Sequence, residues 1–144
     1  MIKIIYASVK PSIKTEGEKE LIFCVVRKKW ILITPEEWVR QNILLYLIHV
    51  LKYPASLIAV EKQLRLGEMK KRFDIVAYKN EKPFLLIECK AMEVPVTQKT
   101  LDQAMRYNIN LQTKNFIITN GNSTYGFVID NAEMFELHEF PSYL

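Results

Sequence analysis

Two carboxylates and a lysine stand at the ends of two apolar runs: Asp74 in RFDIVAY, and Glu88 with Lys90 in PFLLIECKA. The linker KNEKP is short enough for a hairpin, and a turn centred near Glu81 sets Asp74 opposite Glu88, with Lys90 two residues further along the same face. Directly opposed side chains lie about 4.5–5.5 Å apart at Cβ, where like charges repel, so a sheet gains nothing structural from the pair. A divalent cation removes the conflict. Two carboxylates beside an ammonium make a hard oxygen site of the kind Mg²⁺ takes, with Mn²⁺ as a substitute, and the lysine can position a water or meet a phosphate. Such a D…ExK spacing also arises by chance on surface strands, where the lysine is a salt-bridge partner. Here both acids end runs that are apolar on both faces, where an unpaired carboxylate is costly, and that favours a metal site.

Other residues can join this group. Gln103 and Tyr107 lie four apart and stack on one face of a helix, offset from the Leu101/Met105 stripe, where they can bond a phosphate oxygen or hold Lys90. Glu36, Glu37 and Glu61 are further acids that can complete an oxygen cluster, although Glu37 also serves a helix cap and Glu61 can equally pair with a lysine. Lys70, Lys71 and Arg72 run directly into Asp74 and concentrate positive charge where a nucleic-acid backbone needs it; on charge alone they read as a solvated strand end. His49 and His138 are isolated and receive no catalytic role. Glycine-rich phosphate loops, zinc-ligand spacings and nucleophilic triads are all lacking.

The elements that must position these residues follow from pattern. TPEEWVRQNILLYLIHVLK reads as a helix with Thr34 as N-cap, Pro35 at the first helical position and Glu37 completing a capping box; Tyr53-Pro54 ends it. SLIAVEKQLRL, MKKRFDIVAY and PFLLIECKA form a three-stranded meander, with Gly67-Glu68 as the first turn and a sheet covered on both faces. A second helix is expected from about Thr97 through TQKTLDQAMRYNINLQ, burying Leu101, Ala104, Met105 and Leu111. NFIITNG reads as a strand ending in a turn, and YGFVID and EMFELHEF as closing strands. Before all of these, MIKIIYASV and ELIFCVVRKKWILI read as strands, with KPSIKTEGEKE looping out between them.

A chain of 144 residues with 49% hydrophobic content suits one domain with a full core. The expected division is an N-terminal β extension over 1–33, a catalytic core over 34–121 and closing strands over 122–144. The longest apolar stretch, ILLYLIHVL, is far shorter than the roughly 20 residues that span a bilayer, and the N-terminus lacks a signal-peptide pattern, so a cytoplasmic protein without membrane contact is expected. Cys24 and Cys89 are read as buried free thiols, since neither has metal-ligand or redox spacing. A net charge of +4 permits a polyanionic partner without requiring one.

Taken jointly, RKKWILITPEEWVRQ, YPASLIAVE, KRFDIVAY, PFLLIECKA, DQAMRYN and ITNG resemble the N-terminal nuclease domain of the type I restriction enzyme R subunit. That family lies in the PD-(D/E)XK, restriction-endonuclease-like superfamily, in the branch with a RecB-like QxxxY motif. The resemblance implies an α/β fold with an αβββαβ core, a central mixed sheet flanked by helices, and a Mg²⁺-dependent DNA endonuclease activity linked to restriction or repair. It implies Asp74 and Glu88 as metal-binding acids, the Cys89 carbonyl as a further ligand, Lys90 as the catalytic lysine, Gln103 and Tyr107 as the QxxxY pair, and Glu37, ahead of Glu36, as the first-helix acid. Lys71, Arg72, Lys99 and Arg106 are expected to assist in holding DNA. Phe73 replaces the proline that names the superfamily. Larger members carry a helicase-like motor after the nuclease; in 144 residues none is expected, so a separate motor or specificity subunit is implied. A homodimer is expected if both strands are cut. The alternative is an inactive DNA- or protein-binding module on the same fold.

Overall fold

The computed structural model describes residues 1–66, 68–108, 113–131 and 133–144; the side chains of residues 66, 69, 107 and 108 also lie outside the description. Helix α1 spans Pro35–Leu45, and Thr34 Oγ1 accepts from the Glu37 N–H at 3.0 Å, half of the expected capping box. The Glu37 carboxylate, the other half, is taken by arginines described below. The helix continues as a π-helical turn over Tyr46–Val50 and stops before Tyr53-Pro54. Strands β4 (Ile58–Leu66), β5 (Met69–Lys79) and β6 (Lys82–Cys89) follow as an antiparallel meander, then helix α2 (Gln98–Asn108), β7 (Asn115–Thr119), β8 (Thr124–Asp130) and β9 (Glu133–Leu137). The order from α1 to β7 is the expected αβββαβ.

These strands make one six-stranded sheet in chain order from β4 to β9. Only β6 and β7, joined through α2, run parallel; every other neighbour is antiparallel, so the sheet is mixed. Each face has its own core. Val39, Ile43 and Leu44 of α1 pack with Ile75, Ala77, Leu85 and Ile87, whereas Leu101 of α2 packs with Phe73, Val76, Leu86, Phe116 and Ile118. Consecutive buried residues such as Leu85, Leu86 and Ile87 serve alternate faces, which is why these strands lack a polar side. Ala104 and Met105 pack against the α2 cluster as expected. Leu111, the end of the expected second helix and Gly67 of the first turn lie outside the described residues. Among the described residues no helix is long and apolar enough to cross a membrane.

The N-terminal region departs from the sequence reading. Strands β1 (Ile13–Glu16), β2 (Lys19–Cys24) and β3 (Lys29–Leu32) form a separate antiparallel sheet. KPSIKTEGEKE therefore pairs rather than loops out: Gly17, at φ 63°, makes the tight turn that closes Glu16 onto Lys19. All four β1 side chains are exposed, so no apolar alternation announced the strand. MIKIIYASV, expected as a strand, contributes only an Ile2 bridge to Thr124. Ile2 instead fills space over Gly126, where a Cβ would come within 2.9 Å of Ile2 Cδ1 and 2.6 Å of Ile117 Cδ1.

Candidate active site

The hairpin that carries the acids owes its register to a bulge. Asn80 and Glu81, at φ 53° and 64°, form a two-residue turn of the primed type that pairs Lys79 with Lys82 and Tyr78 with Pro83. Continued unchanged, that register would set Asp74 against Ile87. An irregularity between Ala77 and Tyr78 shifts it by one, so that Ala77 pairs with Leu85 and Ile75 with Ile87, and continuation places Asp74 opposite Glu88. The expected register holds at the site end of the hairpin because of a bulge that the turn alone does not announce.

A second irregularity sits at Asp74. The β4–β5 ladder pairs Val60 with Ile75 and Lys62 with Phe73 but skips Glu61 and Asp74, and Glu61 takes φ 53° inside its strand. Left-handed backbone at a non-glycine residue costs about 1–3 kcal/mol and gathers at functional sites. The consequence is visible in the cores: Phe73 packs on the α2 side and Ile75 on the α1 side, whereas a regular strand puts both on one face. Asp74, at the switch, reaches α1. Its Oδ1 accepts from Arg40 Nη2 at 2.9 Å, and its Oδ2 accepts from the Cys89 backbone N–H at 2.7 Å, tying the middle of β5 to the end of β6.

Arg40 is the centre of a charge network. Besides Asp74, its guanidinium meets Glu37 at 2.8 Å, Glu36 at 3.2 Å and Glu61 at 3.5 Å. Arg27 binds Glu37 and Glu61, each at 3.2 Å, and Gln41 donates to Glu37 at 3.0 Å. Glu37 is buried, so two arginines offset its desolvation. Partial burial first, and then the Asp74 charge, raise the Glu36 carboxyl above the ordinary range, against the pull of Arg40 and Lys90. Lys90 is thereby within electrostatic reach of this group; its backbone N–H is anchored to the Thr119 carbonyl at 2.8 Å. Burial, reinforced by Asp74, pushes the Cys89 thiol well up, which keeps it protonated and unreactive. Both cysteines are free and buried as expected; burial also raises Cys24, but hydrogen bonds from Arg27 outweigh it and lower that thiol.

Glu88 has a different partner. It forms an ion pair with Lys71, whose ammonium also lies over the Phe73 ring at 4.9 Å. The like-charge conflict between Asp74 and Glu88, which the sequence reading relieved with a metal, is met here by Arg40 on one acid and Lys71 on the other. Glu36, Glu37, Glu61, Asp74, Cys89 and Lys90 come together around the end of α1. Gln103, Lys99 and Arg106 are exposed on α2, and Gln103 makes no hydrogen bond to the acids or Lys90 among the described residues. Tyr107 lies on α2 with its side chain outside the description, and Arg72 is exposed on β5. Sequence reasoning missed Arg27 and Arg40. Arg40 had a signal, its spacing of four and three residues from Glu36 and Glu37 on one helix, whereas Arg27 lies in a turn with no periodicity to reveal its target.

The donor set suits a hard cation only in part. Among the described residues no three His, Cys, Asp or Glu side chains gather in a metal-holding group. Mg²⁺ needs fewer, since it is commonly bound through one or two carboxylates with waters filling the remaining positions. Asp74, Glu88 and the carbonyl of Cys89 meet that requirement in kind, and the cations now beside both acids mark places where positive charge is favoured.

An αβββαβ order around a mixed sheet, with one acid midway along the second core strand, another near the end of the third and a lysine just beyond, defines an α/β nuclease-like core preceded by extra strands. The family model for the Type I restriction enzyme R protein N terminus matches residues 35–141, and the chain belongs to that family. No curated protein and no solved structure matches it significantly.

Proposed function

We propose that this chain is a metal-dependent deoxyribonuclease of the PD-(D/E)XK type, acting as an endonuclease in restriction. The reading is supported by a conjunction: in a chain of the restriction R-protein family, Asp74 stands midway along β5, just past its last pairing with β6, and Glu88 and Lys90 stand at the end of β6. Asp74, Glu88 and the Cys89 carbonyl would hold Mg²⁺, with Mn²⁺ as a substitute and Glu37 or Glu36 as a supporting acid. Bound there, the ion would polarise the scissile phosphate and acidify a water. Lys90, on a backbone pinned to Thr119, orients that water and offsets charge developing on the phosphate. The Cys89 N–H and Arg40 hold the Asp74 carboxylate in place throughout. Gln103 and Tyr107 of α2, with Lys71, Arg72, Lys99 and Arg106, contact the DNA backbone. As the family's name implies a multi-subunit enzyme, partner subunits supply translocation and sequence choice, and two copies working together cut both strands.

Incubation of the purified chain with plasmid, linear and single-stranded DNA, with and without Mg²⁺, tests this. Asp74→Ala and Lys90→Ala should each lower Mg²⁺-dependent cleavage by at least about 100-fold, the scale on which one transition-state contact acts, with the far-UV circular dichroism unchanged. Undiminished cleavage by either folded variant refutes the assignment.

A non-catalytic DNA-binding module is the second reading, favoured by the arginine and lysine already seated on the two acids. Calorimetric titration separates the two: a heat of Mg²⁺ or Mn²⁺ binding that disappears in Glu88→Gln belongs to the nuclease, and DNA affinity indifferent to metal belongs to the module.

A further inference from the structure

We infer that the β4–β5 ribbon beyond Asp74 is a duplex-DNA docking surface, which binds phosphates through Arg65, Lys70 and Arg72 on one face and leads the backbone toward Asp74. The inference rests on the reading of the chain as a protein that acts on DNA. Residues 62–72 carry five cations and one acid, an excess of +4 equal to the net charge of the whole chain, so the remainder is neutral in balance. The mild basicity of this protein is therefore a local property of one ribbon.

The register sorts those charges. Gln63 pairs with Arg72 and Arg65 with Lys70, and directly paired residues share a face. All four are exposed. Leu64 and Lys71, paired with each other, take the opposite face, where Leu64 packs on the α2 core and Lys71 lies over Phe73. The Arg65/Lys70/Arg72 face thus looks to the α1 side, the side toward which the Asp74 carboxylate is turned, and Arg72 is two residues from Asp74. Its paired positions Gln63, Arg65, Lys70 and Arg72 include no acid, and none of its three cations is ion-paired among the described residues, unlike the arginines around Glu37. Cations left together on a sheet face repel one another; a polyanion relieves that, and the DNA major groove admits a two-stranded β-ribbon. Lys71, committed to Glu88, belongs to the other face, so of the two ribbon cations expected to hold DNA only Arg72 is placed on this surface.

Fluorescence anisotropy with a labelled 20-base-pair duplex in EDTA, across a NaCl series, reads this surface without cleavage. Arg65→Gln/Lys70→Gln/Arg72→Gln should weaken binding and flatten the slope of log affinity against log salt by up to about 2.7, at about 0.9 for each phosphate contact. Lys3→Gln/Lys10→Gln/Lys19→Gln removes the same charge elsewhere and should leave the slope within 0.5 of the parent, a tolerance set at roughly half of one contact. The single reversal Lys70→Glu, for which folding is the lesser risk, should also weaken binding. An unchanged slope in the ribbon variant, an equal loss in the control, or a single-stranded oligonucleotide bound more tightly than the duplex overturns the inference. If no DNA is cleaved yet ribbon-dependent binding persists, the nuclease reading falls alone; if cleavage depends on Asp74 but the ribbon variant binds normally, the docking surface falls alone.

Discussion

Arg40 spans four carboxylates from α1, β4 and β5, and its planar fork does what a lysine ammonium cannot, meeting Asp74 and Glu36 through one nitrogen and Glu37 and Glu61 through the other. Its Nε is buried and has no partner among the described residues, so the other two nitrogens carry the interaction. Arg40→Met keeps the length and removes the charge, leaving the buried Glu37 to Arg27 and Gln41; the loss should be about 3–5 kcal/mol in urea unfolding, and a loss below about 1 kcal/mol would show that Arg27 compensates. Tyr53 is a second residue-scale case. It is buried, its hydroxyl donates to the Pro141 carbonyl at 2.6 Å, and burial raises its ionisation above the ordinary 10.0. A raised folded value means that its contribution is complete below pH 10 and declines as pH climbs above it, because the unfolded chain releases the proton first. Tyr53→Phe should cost about 0.5–1.5 kcal/mol at pH 7. Between pH 10 and 11.5 its thermal midpoint should fall less steeply than that of the parent.

At the scale of elements, the hairpin and the helix start are the parts most open to improvement or damage. Glu81 sits at φ 64° in a two-residue turn, a conformation that glycine adopts without a Cβ penalty. Glu81→Gly should stabilise the protein by about 0.5–1 kcal/mol, because left-handed backbone costs an ordinary residue roughly 1–2 kcal/mol and glycine's extra chain entropy returns part of it. A destabilised variant would mean that the turn is held by contacts of the Glu81 side chain. Thr34→Ala removes the cap that accepts the Glu37 N–H and should cost about 1 kcal/mol in the same denaturant assay. The larger penalty belongs to register, since without the irregularity at Ala77/Tyr78, where Phe84 has no partner, the pairing set by the turn would continue and place Asp74 against Ile87.

For the molecule as a whole, ligand binding should be visible as stability. Under the proposed nuclease reading, Mg²⁺ bound to the folded chain at one hundred times its dissociation constant adds about 2.7 kcal/mol, so the thermal midpoint should rise with Mg²⁺ in the parent and stay level in Asp74→Ala. A rise of equal size in both would place the ion elsewhere. Helices α1 and α2 cover opposite faces of one sheet, and the basic ribbon of β4 and β5 runs on from Asp74, past the β5–β6 pairing.

Periodicity and turn chemistry, which are local, made much of this protein legible: both helices, the three-stranded meander, the closing strands and a sheet apolar on both faces follow from residues near each other in the chain. Glu88 and Lys90 at a strand end were equally readable, since they terminate an apolar run; Asp74, expected at a strand end too, lies midway along β5, because the polar residues before it still pair with β4. The N-terminal sheet was not, because β1 buries nothing and Gly17 was its only mark. Nor were the irregularity at Ala77/Tyr78, the left-handed Glu61, or the partners of the acids. Arg40 reaches Asp74 across 34 residues of sequence, and Arg27 reaches Glu61 across the same separation. Which cation neutralises which carboxylate depends on how a helix lies over a sheet, a matter of packing between distant segments that no spacing within one segment records.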